Sequence, residues 1–219
     1  METKNRKNKI PTATEENAVI LDYLSLGYVN SDMSKFKGKA IAQAIGTEYF
    51  TLLELVPKKG VDLEIQDTVY IGKGKRDKIY KVLGKLNYEN LTATSRIELE
   101  YSIREIVKSN EEKFVEFFNT AGAISTRLHK LELLPGIGKK YMWEIVEARK
   151  EKPFESFEDI TNRVPSLSDP AEMIVNRVKQ ELDTTTAKKG KKKYYLFTPI
   201  PKTAKKHGRN QRTNRNQRK

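Results

Sequence analysis

LLPGIGKKYMWEIVEAR, residues 133–149, breaks an apolar, helix-prone region with a proline and two glycines and then opens a new helix with two lysines. Positive charge is disfavoured at a helix N-terminus, where the dipole is itself positive. Pro135 fixes its own φ and ends whatever precedes it. Gly136 and Gly138 both permit positive φ, so the chain can reverse within a few residues. Ile137, between them, is the side chain placed to plug the two flanking segments together. Met142, Ile145, Val146 and Arg149 recur at helical spacing, which predicts a packed second helix. The turn leaves the amides of residues 138–140 without partners at a helix start, a ready site for an anion. Lys139 and Lys140 oppose the free helix and suit it once a phosphate is bound. The plainer alternative is a tight corner between two helices whose lysines are only solvated.

Upstream of this turn, TRLHKLELL (126–134) is expected to form the first helix of a helix-hairpin-helix centred on residues 133–140. Thirty residues downstream, VPSLSDPAEMIVN (164–176) repeats LPGIGKKYMWEIV (134–146), pairing Leu134 with Val164, Ile137 with Leu167 and Ile145 with Val175. The second copy (164–177) has Ser166 and Ser168 for the glycines and Asp169 and Pro170 for the lysines. It is expected to keep the fold and lack the grip. Ser156 and Asp159 read as a capping pair, with Phe154 as a staple and Phe157, Ile160 and Val164 as the buried stripe. Further back, Ser95 and Glu98 read as a capping box for a helix burying Leu99, Ile103, Ile106 and Val107. Asn110 is expected to cap a second helix with Phe114, Phe117 and Phe118 inward. The six-residue AGAIST (121–126) is a break.

Before residue 94 the period is two rather than 3.6. AVILDYL (18–24) is one strand, AIAQAIGTEYFTLLELV (40–56) a hairpin, and DTVYIGKGKRDKIYKVLGKL (67–86) a second hairpin. About five short strands without intervening helices suggest a small OB-like barrel. The loop GKGKRDK (72–78) carries Lys73, Lys75, Arg76 and Lys78 between Tyr70 and Tyr80, the mixture of charge and stacking surface used by single-strand binders. It reads equally as a solvated tip with two core tyrosines.

Charge is divided unevenly. Of 42 Lys and Arg, 13 lie in residues 188–219, which contain no Asp or Glu; the other 29 are balanced by all 29 acidic residues. The net +13 therefore belongs to the tail. A one-sign block of this length is an arm for a polyanion. Its end carries Lys205, Lys206, Arg209, Arg212, Arg215 and Arg218 among Asn and Gln, with no apolar residue to enter a bilayer. Nucleic acid is the expected partner and a membrane is not. The absence of cysteine, with only His129 and His207 as histidines, excludes disulfides and argues against a metal centre or other cofactor. No apolar leader or long apolar run is present, so a soluble, cytoplasmic protein is expected.

The expected architecture is α+β with several domains: a flexible basic start (1–16), an OB-like small β-barrel (17–93), a helical bundle with the helix-hairpin-helix pair (94–187), and the basic tail (188–219) with a candidate docking strand at 194–200. LTATSRIELEYSIREIV, NEEKFVEFFNTAG, LHKLELLPGIGKKYMWEIVEARKEKPFESFEDI and YYLFT, together with the barrel, resemble the archaeal domain-of-unknown-function 655 family over residues 15–198. That resemblance implies an OB-like domain joined to a helix-hairpin-helix bundle and a nucleic-acid role, and it implies no reaction. The tail favours a non-catalytic RNA binder associated with ribosomal RNA, ribosome assembly or translation. The alternatives are a DNA-structure binder in repair or recombination and, more remotely, a DNA glycosylase/lyase. The last would use Lys140 as a Schiff-base lysine with Glu158 or Asp159 as its acid, but the large base-holding helical domain is absent.

Overall fold

The computed structural model of the protein describes residues 14–28, 38–183 and 193–200. Alternating apolar residues form β1 (Asn17–Leu24), β2 (Ile41–Gly46) and β3 (Leu52–Pro57), which pair as an antiparallel meander. β4 (Thr68–Tyr70) adds to the free edge of β1, and β5 (Ile79–Lys85) to the free edge of β3. The result is a curled five-stranded half-barrel in the order β4-β1-β2-β3-β5. Residues 67–86 are therefore not a hairpin. Every neighbouring pair is antiparallel, so β4 and β5 run in the same direction at opposite edges of the sheet. A period-two pattern identifies a strand but not its partner.

The two faces of the sheet bury different sets of side chains. Ala18, Ile20, Ala42, Ala44, Leu53 and Leu55 line the inside of the curl. Val19, Leu21, Ile45 and Leu52 point the other way, into a core continuous with the helices. On that face Gln43 is fully buried and all its amide atoms are used: Nε2 donates to Tyr28 Oη and Asn90 O, and Oε1 accepts from Thr92 N. Thr92 also donates its hydroxyl to Asp22 at 2.6 Å. These bonds fix where α1 (Ala93–Ser109) begins.

Thr92, not Ser95, is the cap of α1, accepting from the Ser95 amide at 3.0 Å. The stripe Leu99, Ile103, Ile106 and Val107 is buried as the spacing predicts. α2 (Glu111–Thr120) starts at Asn110, whose side chain bonds back to Ile106 O rather than capping forward. A small ribbon follows, β6 (Ala123–Ser125) against β7 (Leu128–His129), and then a single 3-10 turn at Leu131–Leu133. The helix expected over 126–134 does not form. Within those nine residues the His129 amide goes to Glu132 Oε2 and the Leu131 amide to His129 Nδ1, side-chain acceptors that compete with the helical ladder. Pro135 then blocks extension.

The remaining helices are α3 (Lys139–Glu151), α4 (Phe157–Arg163) and α5 (Pro170–Leu182). Ser156 caps α4 through the Asp159 amide and Phe154 is buried, with Arg163 stacked over its ring at 4.6 Å. The segment 193–200 forms no strand and does not join the sheet. It lies on the helices. Phe197 packs edge-on against Phe114 and Phe117 at 5.6 and 5.1 Å. The carboxylate of Glu181, only 2% exposed, accepts from the amides of Leu196, Phe197 and Thr198 and from the Thr198 hydroxyl at 2.7–3.0 Å. Arg177 completes the latch, pairing with Glu181 at 2.7 Å and donating to Leu133 O and Tyr194 O.

Candidate nucleic-acid interface

The turn between Leu133 and α3 is built as the glycine and proline demand. Gly136 has φ +88°, a region closed to β-branched residues, with Met173 Cε beside it. Gly138 differs from expectation: at φ −92° and ψ −177° it is extended and has no conformational need to be glycine. A Cβ there would meet nothing within 4 Å, so packing does not require glycine either. Ile137 is buried and its amide donates to Leu134 O at 3.1 Å. In the downstream copy Leu167 donates to Val164 O at 2.9 Å, the same bond at an offset of 30 residues. The two turns share this bond and not the rest of their backbone: Gly136 has positive φ and its counterpart Ser166 does not, and the first turn is preceded by a 3-10 turn and the second by α4.

The caps differ as well. Thr92, Ser156 and Asp169 cap α1, α4 and α5 with side-chain oxygens. α2 lacks such a bond and carries Glu111 and Glu112 in its first turn instead. α3 has neither: Gly138 offers no side chain, and the first turn begins with Lys139 and Lys140. The amides of Lys139, Lys140 and Tyr141 have no intrahelical acceptor, as in any first turn. Lys139 is tethered, donating to Arg127 O at 3.0 Å and pairing with Glu132 at 3.1 Å. Lys140 is 80% exposed, with Glu144 at 3.8 Å. An exposed ion pair of this kind is worth little. His129, beside this cluster, is held below its usual pKa by burial and then by the Arg149 charge. Burial pushes the Glu132 carboxyl up, but its bonds from the His129 amide and Lys139 outweigh this and hold it below the ordinary value.

Trp143, the chain's one tryptophan, was not marked by the sequence motif. It stands 57% exposed one turn beyond Lys139 and Lys140, on the same side of α3. Its signal was present: with Met142 and Ile145 inward, position 143 falls outside the buried stripe. Arg177 and Glu181 were missed because their partners are backbone groups remote in sequence.

The GKGKRDK loop is divided. Lys78 is held by Asp67 at 2.7 Å, and Lys78 in turn keeps the Asp67 carboxyl below its usual range. Arg76 donates Nε to Gly72 O at 2.8 Å. Lys73 and Lys75 are exposed. Tyr80 is exposed rather than in the core, while Tyr70 accepts the Gly74 amide and supports the loop. Lys205, Lys206, Arg209, Arg212, Arg215 and Arg218 lie outside the described residues. Asp159 is committed to the Glu155 amide and to Arg163. No helix among the described residues is long and apolar enough to cross a membrane.

The whole described body has known counterparts. An uncharacterised protein of Methanocaldococcus jannaschii, MJ0038, is 46% identical over 192 residues, spanning 88% of this chain and 83% of that protein. The crystal structure of Af1531 from Archaeoglobus fulgidus, a DUF655 protein, matches with a TM-score of 0.74 at 44% identity, covering 84% of this chain and all of the other. Residues 14–199, from just before β1 to the latched segment, match the family described as a protein of unknown function, DUF655, and the chain belongs to that family.

Proposed function

We propose that this protein is a non-catalytic nucleic-acid-binding protein, an RNA binder associated with ribosomal RNA, ribosome assembly or translation. Its half-barrel is read as an OB-like domain, and the 134–138 and 164–169 turns as a helix-hairpin-helix pair with an active first copy. One observation carries the reading: among the described residues, α3 is the helix that combines a bare glycine cap with a basic first turn, at a glycine that neither φ nor packing requires. An arriving phosphate supplies the missing cap and compensates Lys139 and Lys140. The basic tail supplies the long-range attraction.

DNA is the second reading, because the two turns share one backbone bond at an offset of 30 residues and a pair of hairpins suits a duplex. A Schiff-base role for Lys140 is not favoured. Such a lysine is activated by desolvation or a cationic neighbour, and this one is exposed beside a carboxylate.

The test uses opposite signs. Gly138→Asp places a carboxylate on the α3 amides in a backbone already suited to an N-cap, and should stabilise the protein by a few tenths of a kcal/mol through the cap and about 0.3–1 kcal/mol through the helix dipole. The same carboxylate occupies the phosphate site and repels the ligand, so affinity for a short RNA should fall about tenfold or more. Lys139→Glu with Lys140→Glu should also weaken binding without loss of melting temperature. Unchanged affinity in a stabilised Gly138→Asp protein removes the α3 turn from the interface. Fluorescence anisotropy and thermal melts of the same samples supply both readouts.

A further inference from the structure

The two turns present different helix starts to an incoming phosphate. At α5 every N-terminal position is already occupied: Pro170 has no N–H, and the amides of Ala171 and Glu172 donate to Asp169 Oδ1 at 2.8 and 3.3 Å. A carboxylate, not a lysine, faces any ligand there. At α3 the first intrahelical bond runs from the Met142 amide to Gly138 O at 3.0 Å, which leaves the amides of residues 139–141 open. A duplex gripped on both strands needs two open turns, and this pair has one. The arrangement suits one strand.

Beside the open turn stands the exposed Trp143. It shares a face with Lys139 and Lys140 before it and with Glu147 and Lys150 after it. Long side chains on a helix lean toward its N-terminus, so a residue at 143 covers the first turn, where the open amides are. Among the described residues no ring packs against the indole and no group bonds its Nε1. Its apolar neighbours do not extend it into a patch: Met142 and Ile145 are buried, and Tyr141, Val146 and Ala148 pack against the core. The nearby carboxylates are engaged, Glu144 by Ser166 and Lys140, and Glu147 by Lys150 at 2.7 Å.

A protein partner anchors on a contiguous apolar patch, and a membrane surface takes a whole apolar helix face. A solitary ring among lysines offers neither. It offers one flat π surface beside a phosphate site, the combination that an unpaired base and its backbone use. We infer that Trp143 is a stacking residue for an unpaired base of a single strand whose adjoining phosphate occupies the α3 amides. The inference rests on the α3 turn as the phosphate site; what it adds, the single strand and the stacked base, comes from Asp169 and Trp143.

Trp143 is the chain's one tryptophan, so its fluorescence, excited where the ten tyrosines do not absorb, reports this position alone. The full chain is titrated with a short single-stranded RNA, the same sequence as a fully paired duplex, a strand of stable abasic residues of equal length, and an acidic peptide. The single strand should quench the indole, and the other three should leave it nearly unchanged whether or not they bind. Trp143→Ala should lower affinity for the single strand about tenfold by anisotropy, with melting temperature unchanged, and Trp143→Phe should recover most of the loss. Affinity for the abasic strand should be the same with and without the tryptophan. Quenching by the duplex or the abasic strand as deep as by single-stranded RNA overturns the stacking role. Equal quenching by the peptide overturns it in favour of a protein contact. Undiminished RNA binding by Trp143→Ala also overturns it, and if Gly138→Asp still weakens binding the α3 reading stands. Absence of binding by every strand overturns both.

Discussion

Ending the chain at Ala187 should lower the melting temperature by about 10 °C, whereas ending it after Pro201 should leave it unchanged. The shorter chain removes the segment latched on the helices. Glu181 loses three backbone amides and a hydroxyl at a position almost closed to solvent. Breaking a buried charged network costs about 3–5 kcal/mol. Uncovering Phe114 and Phe117 by removal of Phe197 adds to the loss, since each aromatic contact carries its buried area with it. Glu181→Ala in the full chain should produce most of the same effect. The two changes together should be far from additive, because they delete the same contacts. Thermal melts of the five proteins decide it. A chain ending at Ala187 that melts with the full-length protein would mean that Glu181 and Phe197 hold nothing in place.

RNA affinity should fall with salt at a slope of about −4 to −5 on logarithmic axes in the full chain, and at about −2 in the chain ending after Pro201. The estimate takes about half of the tail's charges as engaged, each contributing about −0.7 on a single strand. Eight of the 13 tail charges lie beyond Pro201, and the five nearer ones remain with the latch intact. This truncation separates charge from folding, which the cut at Ala187 does not. A slope that stays near −4 would move the electrostatic contact from the tail to the body.

Local patterns were legible where local physics decides. The alternation in β1, β2 and β3, the stripe of α1 and the Ser156 cap are all properties of a few neighbouring residues. The offset of 30 residues between the two turns was visible because Leu134 and Ile137 make the same bond and are buried like Val164 and Leu167. Failures came where a partner is distant or competing. β4 and β5 look like a hairpin in sequence, but each finds a free sheet edge elsewhere. Ser95 looked like a cap because it precedes a hydroxyl-to-carboxylate spacing, yet Thr92 is drawn forward by Gln43 and Asp22. YYLFTPI has the apolar content of a strand. Its amides are taken by Glu181, a residue whose burial no pattern of the segment itself could signal. At the candidate interface the structure differs from expectation at Gly138. That glycine was expected to need positive φ, and instead it stands where a cap is missing.

The most direct test of a nucleic-acid role is ultraviolet crosslinking in cells that express the protein, followed by sequencing of the bound nucleic acid. Recovery of RNA well above a mock control, dominated by ribosomal sequences, is the expected result. Recovery of mainly genomic DNA would replace the RNA reading with the duplex one, and recovery no greater than the control would contradict nucleic-acid binding altogether.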